Sequence, residues 1–160
     1  MIRVLVLIFC WWLVHTSDHS QGHFDDLVED FRKGYRALDL PPLNLSYVEN
    51  LESVSEWGKL KNQELFFTEM DGRLGSIDQD LLSRVKRRRF GILRYEVALN
   101  LERIQLEARW LEERASLKKT RIYDETLGKE WYAYYLKRWV DLEVEPDSIF
   151  HFGLAEIKKV

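Results

Sequence analysis

The longest apolar repeat of the chain lies between Ser83 and Leu117, and it constrains the fold more than any other segment. Its spacing of alternating three- and four-residue steps is typical of one buried face of an α-helix. We therefore predict a single helix of about 50 Å, with Ser83 as its N-cap. Further apolar residues widen the face, which favours packing among several helices over a two-stranded coiled coil. The repeat consists of Phe90, Leu93, Val97, Leu101, Ile104, Ala108, Leu111 and Ala115, and it is widened by Leu99, Leu106 and Trp110.

Other segments also predict helices. One spans about residues 24–38, and a second opens at Ser46, where the Ser hydroxyl and the Glu49 carboxylate have the spacing of a capping box. This second helix is expected to run toward Met70 and to be ended by Gly72 and Gly75. No Asn-Gly or Asp-Gly pair joins two alternating runs, so no β-hairpin is expected. The sequence predicts an all-α fold in which long amphipathic helices pack as an incomplete helical array.

The N-terminal twenty residues are typical of a secretory signal. Arg3 precedes an unbroken apolar run from Val4 to Val14, and a polar stretch follows. We expect residues 1–20 to be removed by cleavage near residues 20–23, which leaves a domain at 24–160 in the periplasm or outside the cell. An N-terminal membrane anchor is the alternative, although a spanning helix needs about 20 apolar residues. Removal would also take Cys10, the only cysteine, and with it any disulfide or thiol nucleophile.

The net negative charge of the chain argues against binding to nucleic acid or to an anionic membrane. The formal net charge is -3 and the pI is about 5.9, so neither nucleic acid nor an anionic membrane is generally attracted. We expect no nucleic-acid partner, and membrane contact only through the signal segment. The basic residues Arg84 and Lys86 to Arg89 are interpreted as a solvated helix face. The pairs Arg103 with Glu107 and Arg109 with Glu113 are interpreted as ordinary surface pairs of a helix.

Residues suited to catalysis are few. His15, His19 and His23 are four residues apart, but the first two belong to the expected signal. The remaining His23 and His151 are too few for a catalytic zinc site, which uses three protein ligands. No Gly-x-Ser-x-Gly elbow is present. We therefore predict no catalytic residue, no metal ligand and no cofactor in this chain, and no activity for the chain alone.

The aromatic residues after Gly128 supply the candidate binding site. Trp131, Tyr135 and Trp139 are four residues apart and predict a core stripe. Tyr132 and Tyr134 lie off that stripe, and their phenol groups combine apolar area with a hydrogen-bond donor. We take Tyr132 and Tyr134 as candidates for lining a peptide-binding cleft.

Two motifs near the C-terminus carry a family resemblance. The positions are Gly128, Trp131 and Tyr132 in the first motif, and Pro146, Asp147, Ile149, Gly153, Leu154, Glu156 and Ile157 in the second. Together with weaker matches upstream, they make residues 24–160 resemble the bacterial family called domain of unknown function 885. Members of that family are longer and resemble helical zinc peptidases, whose His-Glu-x-x-His motif lies downstream of the segment seen here.

The resemblance implies that the chain is the N-terminal helical portion of an exported, zinc-peptidase-like protein. Zinc is then implied only for the full-length protein, and the partners are the remainder of the domain and, in the complete protein, a peptide substrate. Apolar residues continue at helical spacing from Ile149 to Val160, so we expect the chain to be incomplete. The alternative is a free-standing exported helical module that binds a protein or peptide through its aromatic residues.

Overall fold

The computed structural model describes residues 22–42, 53–113, 128–140 and 145–159. Of these residues 84% are helical, and they form five helices and no β-strand. The prediction of an all-α fold is therefore confirmed. The chain divides into two compact units, which we call the first unit (Met1–Leu40 with Asn62–Ala98) and the second unit (Pro41–Lys61 with Leu99–Val160).

Helix α1 covers residues 22–37, close to the predicted span. Its last turn is closed by the Leu38 N–H, which donates to the carbonyl oxygens of Gly34 at 3.1 Å and Tyr35 at 3.3 Å. Asp39 follows with a φ of 47°, in the left-handed region that ends many helices. Aspartate tolerates this conformation better than most side chains do, so the chain can turn here without a glycine.

Helix α2, Trp57–Gly75, begins later than predicted and ends at Gly75, one of the two glycines predicted to end it. Residues 53–56 are not helical, so the expectation of one uninterrupted helix from Ser46 to Met70 is wrong. Serine side chains compete for backbone hydrogen bonds, which explains why Ser53 and Ser55 interrupt a helix. The capping box at Ser46 lies outside the described residues. At the other end the helix passes through Gly72, which costs only about 1 kcal/mol relative to alanine, and stops at Gly75.

Helix α3, Arg84–Glu113, is the long helix that the apolar repeat predicts. A 3-10 helix, Gln79–Leu81, leads into it. Ser83 acts as the N-cap, since its hydroxyl accepts from the Lys86 N–H at 3.4 Å and its carbonyl accepts from the Arg87 N–H at 2.8 Å. The 30 residues rise about 45 Å. The predicted extension to Leu117 lies outside the described residues.

The predicted apolar face of α3 is buried along most of its length. Within the first unit the buried positions are Phe90, Leu93 and Val97, and within the second they are Leu99, Ile104, Leu106 and Leu111. Leu101, Ala108 and Trp110 are half-buried, and Ala115 lies outside the described residues. Apolar residues therefore cover more than half of the circumference in the second unit, which agrees with packing among several helices and not with a narrow coiled-coil seam.

Phenylalanines fill the core of the first unit. Phe31 of α1 lies against Phe66 and Phe67 of α2, with ring centroids 5.7 and 6.4 Å apart, and Phe24 lies 6.1 Å from Phe90 of α3. Gly34 faces the ring of Phe66 so closely that a Cβ atom there would collide with it. Ion pairs surround this core at the surface, among them Lys86 with Asp25 and Arg73 with Asp30.

Helices α4, Gly128–Val140, and α5, Pro146–Ile157, begin at the predicted residues. Proline suits a first helical turn because its missing N–H would have no partner inside the helix there. Helix α5 ends where the Lys158 N–H donates to the carbonyl oxygens of Leu154 and Glu156. None of the described helices combines the length and the apolar character needed to cross a membrane.

Candidate functional site: the aromatic and polar cluster of the second unit

The core of the second unit is an aromatic cluster between α3 and α4. Trp131, Tyr134 and Tyr135 of α4 pack against Leu99 and Leu106 of α3. The half-buried side chains of Val54 and Trp110 cover its edge. We call this set the aromatic cluster, and it forms because the apolar stripe of α4 meets the side of α3 that Leu99, Leu106 and Trp110 widen.

Three rings of α4 stack in a row. The ring centroids of Trp131 and Tyr135 are 5.7 Å apart, those of Tyr135 and Trp139 are 5.0 Å apart, and both pairs are nearly parallel. The first two rings are buried, as the predicted core stripe requires, whereas Trp139 is 38% exposed. The row of rings therefore begins in the core and ends at the surface.

The two tyrosines predicted to line a cleft lie in different environments. Tyr132 is 41% exposed, so its ring is available to a partner. Tyr134 is 2% exposed and meets Trp131 and Tyr135 edge to face, so its expected position on an open cleft is not met among the described residues. The reason is tertiary: α3 covers the side of α4 that carries Tyr134, and spacing along α4 alone does not reveal that.

A buried ion pair adjoins the aromatic cluster, and the sequence interpretation of it as an ordinary surface pair is wrong. Arg103 Nη1 lies 2.7 Å from Glu107 Oε1, and the two side chains are only 12% and 10% exposed. Arg103 Nε also donates to Asn100 Oδ1 at 3.4 Å. Burial raises the pKa of Glu107 above its ordinary value, and the attraction of Arg103 only partly opposes this shift.

A signal for this burial exists in the sequence. Asn100 and Glu107 continue the alternating steps of three and four that run through Val97, Ile104 and Leu111. They therefore occupy core positions of the helix, and a polar residue at such a position is the informative exception. Reading Arg103 and Glu107 only as an i, i+4 pair misses this.

Within the described residues, three buried polar atoms near the cluster have no hydrogen-bond partner: Glu107 Oε2, Trp110 Nε1 and Trp131 Nε1. An unpaired buried donor or acceptor costs about 1 to 3 kcal/mol. The polar atoms of this region are thus incompletely matched, in contrast to the ion pairs at the surface of the first unit. These unpaired atoms lower the stability of the core of the second unit.

Two ion pairs, one half-buried and one exposed, join α4 to α3 at the rim of the cluster. Lys137 Nζ lies 2.9 and 3.2 Å from the two carboxylate oxygens of Glu102. Arg109 makes a two-pronged pair with Glu130, and its hydrogen bonds lower the pKa of the Glu130 carboxyl. The expected partner of Arg109 was Glu113 of its own helix, so its principal contact is instead tertiary. Solvent screening limits the exposed Arg109–Glu130 pair to about 1 kcal/mol or less.

Helix α5 presents a second candidate surface. Five large apolar side chains are exposed on it: Ile149, Phe150, Phe152, Leu154 and Ile157, of which Phe152 and Ile157 are 67% and 72% exposed. Of the other family-motif positions, Asp147 and Glu156 are exposed and Gly128 and Gly153 are half-buried. A helix whose apolar side chains remain this exposed is typical of a surface that another polypeptide covers.

The two candidate surfaces present aromatic and apolar side chains. His23 and His151 are both exposed. In the described part of the chain, no three His, Cys, Asp or Glu side chains are grouped so that they could hold a metal ion. Aromatic faces, phenol and indole donors and apolar side chains are what the two candidate surfaces offer to a partner. No protein-family model, curated protein or solved structure matches the chain.

Proposed function

We propose that the chain is a non-catalytic helical module that packs against a partner polypeptide through α5. We further propose that this partner is the remainder of an exported, zinc-peptidase-like protein of the kind that the C-terminal motifs resemble. The proposal rests on one observation, the five large apolar side chains that α5 exposes. Burying such a side chain fully contributes about 1.5 to 3 kcal/mol, so covering even half of this surface would bind a partner helix.

The chain would position its partner polypeptide and would not itself catalyse a reaction. A catalytic zinc ion polarises a peptide carbonyl and activates water when it is bound, and its ligands would come from the remainder of the protein. The buried aromatic cluster would fix α4 and supply a rigid base for α5, which follows it in the chain. We expect the gene to encode a His-Glu-x-x-His helix in the extended reading frame or a neighbouring one, and sequencing the DNA after the Val160 codon tests this.

A second candidate is a free-standing exported module that binds a peptide through α4. Tyr132 and Trp139 favour it, since both are exposed and are seven residues apart, which places them on one side of the helix. Their rings would hold a partner by stacking and by hydrogen bonds from the phenol and indole groups.

A pair of matched variants separates the two candidates. Phe150→Ser with Phe152→Ser removes apolar surface from α5, and Tyr132→Ala with Trp139→Ala removes the exposed rings of α4. If α5 is the docking surface, the purified chain should bind a hydrophobic dye and self-associate in light scattering, and the α5 variant should lose both with unchanged far-ultraviolet circular dichroism. Leu65→Ser with Val85→Ser, at two other exposed apolar sites, is the control and should behave like the unmodified chain.

The result that contradicts the first candidate is equally specific. If the α5 variant still binds dye and self-associates while the α4 variant does not, the exposed rings of α4 carry the interaction. The second candidate then replaces the first.

A further inference from the structure

The solvent-facing side of α3 in the first unit carries three arginines and two aliphatic side chains. Arg84, Arg88 and Arg89 are exposed, and Val85 and Ile92 lie among them with 62% and 71% of their surface exposed. With 100° of rotation per residue, the five fall within an arc of about 140°. We call this set the basic face. It lies away from the side of α3 that buries Phe90, Leu93 and Val97.

The arginines of the basic face differ from three other cations of the first unit, each of which has a partner. Lys86 pairs with Asp25 at 2.7 Å, Arg73 pairs with Asp30 at 2.8 Å, and Arg87 donates to the backbone carbonyls of Gln79 and Asp80. The side chains of Arg84, Arg88 and Arg89 form no ion pair or hydrogen bond with any described residue. Their positive charge is therefore locally uncompensated, although the chain as a whole is negative.

The neighbouring aliphatic side chains narrow the choice of partner. A single exposed aliphatic residue is ordinary, but here Val85 and Ile92 are seven residues apart, two turns along one side of the helix. The sequence interpretation of a solvated face accounts for arginines there. It does not account for aliphatic side chains between them.

We propose that the basic face docks on an anionic phospholipid surface. Guanidinium groups match phosphate oxygens with paired hydrogen bonds, and the aliphatic side chains would enter the boundary between the headgroups and the acyl chains. This inference is independent of the partner proposed for α5.

Lipid fits the face better than nucleic acid does. Phosphates of a nucleic acid would satisfy the three arginines but would leave Val85 and Ile92 against a charged, hydrated backbone. Binding of single strands relies on aromatic stacking platforms, and aliphatic side chains do not supply them. A bilayer interface is the anionic surface that binds both groups, because its phosphates attract the arginines and its acyl chains accept the aliphatic side chains.

Vesicle binding by the full chain tests the proposal. Co-sedimentation with phosphatidylcholine vesicles containing about one-third phosphatidylglycerol should show binding that weakens as salt is added, with little binding to pure phosphatidylcholine. Arg84→Gln, Arg88→Gln and Arg89→Gln combined should weaken it about 100-fold. Ile92→Gln should weaken it about threefold to tenfold at unchanged charge.

The control removes equal charge elsewhere. Arg36→Gln, Lys59→Gln and Lys129→Gln combined alter three exposed cations on α1, α2 and α4, and binding should stay within about twofold of the unmodified chain. All variants keep the same N-terminal apolar run, so any contribution of that run cancels between them.

Three results overturn the proposal: equal binding to both vesicle types, an equal loss in the control variant, or unchanged vesicle binding in Ile92→Gln. The face would be assigned to nucleic acid instead if a short DNA duplex displaced the chain from the vesicles and the Ile92→Gln variant bound as tightly as the unmodified chain. Circular dichroism of each variant reports whether it is folded. Because Ile92 is exposed, its variant still decides the matter if the triple variant does not fold.

Discussion

The two units build their cores from different aromatic residues. The first unit packs mainly the phenylalanines Phe24, Phe31, Phe67 and Phe90, whose rings have no polar atom, and its ion pairs remain at the surface. Its core also contains the ring of Tyr35 and the buried side chain of Gln63. The second unit packs Trp131 and tyrosines beside a buried guanidinium and carboxylate. Phenylalanine needs only space and neighbours to be stable inside a protein, whereas every buried N–H or carboxylate also needs a partner. The stability of the first core should therefore depend mainly on how well its rings pack. The stability of the second should depend mainly on whether its buried polar atoms have partners.

The largest effect is expected from removing a ring of the first core. Phe67→Ala should lower the free energy of unfolding by about 3 to 5 kcal/mol, because it deletes apolar contacts and leaves a cavity among other rings. Phe67 is fully buried, whereas Leu65 on the same helix is exposed. Urea unfolding followed by circular dichroism measures the loss, and Leu65→Ala, the control, should change stability by less than about 0.5 kcal/mol. Equal effects at the two sites would refute the described face of α2.

Breaking the buried ion pair should be nearly as costly. Arg103→Met leaves the Glu107 carboxylate buried without its cation, which we expect to cost about 3 kcal/mol near neutral pH. Replacing both partners, as in Arg103→Met with Glu107→Leu, should restore most of that loss, since the unpaired charge is gone as well. A double-mutant cycle in urea measures both values. If the double variant is as unstable as Arg103→Met alone, polar matching does not limit the second core.

A smaller effect is expected where Gly34 of α1 lies against the ring of Phe66 in the first unit. Gly34→Ala would place a Cβ atom into the ring of Phe66, so either the ring or the helix must move. Overpacking of this kind costs about 1 to 3 kcal/mol. Gly72→Ala is the matched control, because a Cβ atom there meets nothing and should instead stabilise α2 by about 0.4 to 1 kcal/mol. Thermal unfolding distinguishes them by the sign of the change in melting temperature.

The raised pKa of Glu107 predicts a pH dependence confined to the second unit. A carboxyl whose pKa is higher in the folded state stabilises the fold fully below its ordinary pKa of 4.5, and this contribution is lost as the pH rises through the folded pKa. Glu107→Gln cannot ionise and lacks this dependence. The stability of the unmodified chain relative to Glu107→Gln should therefore fall as the pH rises above the ordinary pKa of 4.5, as urea unfolding would measure. An increase over that range would show that the attraction of Arg103 outweighs burial.

The smallest effect is expected at the surface of the first unit. Asp25→Asn removes the partner of Lys86 and should cost less than about 1 kcal/mol, because the Asp25 side chain is mostly exposed. Added salt should reduce even that difference. If Asp25→Asn lowered the free energy of unfolding as much as Arg103→Met, the ion pairs of the two units would not differ in the way proposed.

The sequence predicted features that depend on local spacing. The apolar face of α3, its start after Ser83 and the starts of α4 at Gly128 and α5 at Pro146 all follow from periodicity and capping. Features that depend on contact between helices were missed. The burial of Tyr134 and the pairing of Arg109 with Glu130 require knowing that α4 lies on α3, and neighbours along one helix do not reveal that.

The distribution of tryptophan has a spectroscopic consequence. Within the described residues every indole belongs to the second unit, at Trp57, Trp110, Trp131 and Trp139, while the first unit absorbs through phenylalanine and tyrosine. In protein that lacks residues 1–20, emission excited at the red edge of the indole band would come from the second unit alone. The stacked rings of Trp131, Tyr135 and Trp139 should also give that unit its own near-ultraviolet dichroism. Comparing the two signals with the loss of helix would show, in a single unlabelled sample, whether the two units unfold together or in turn.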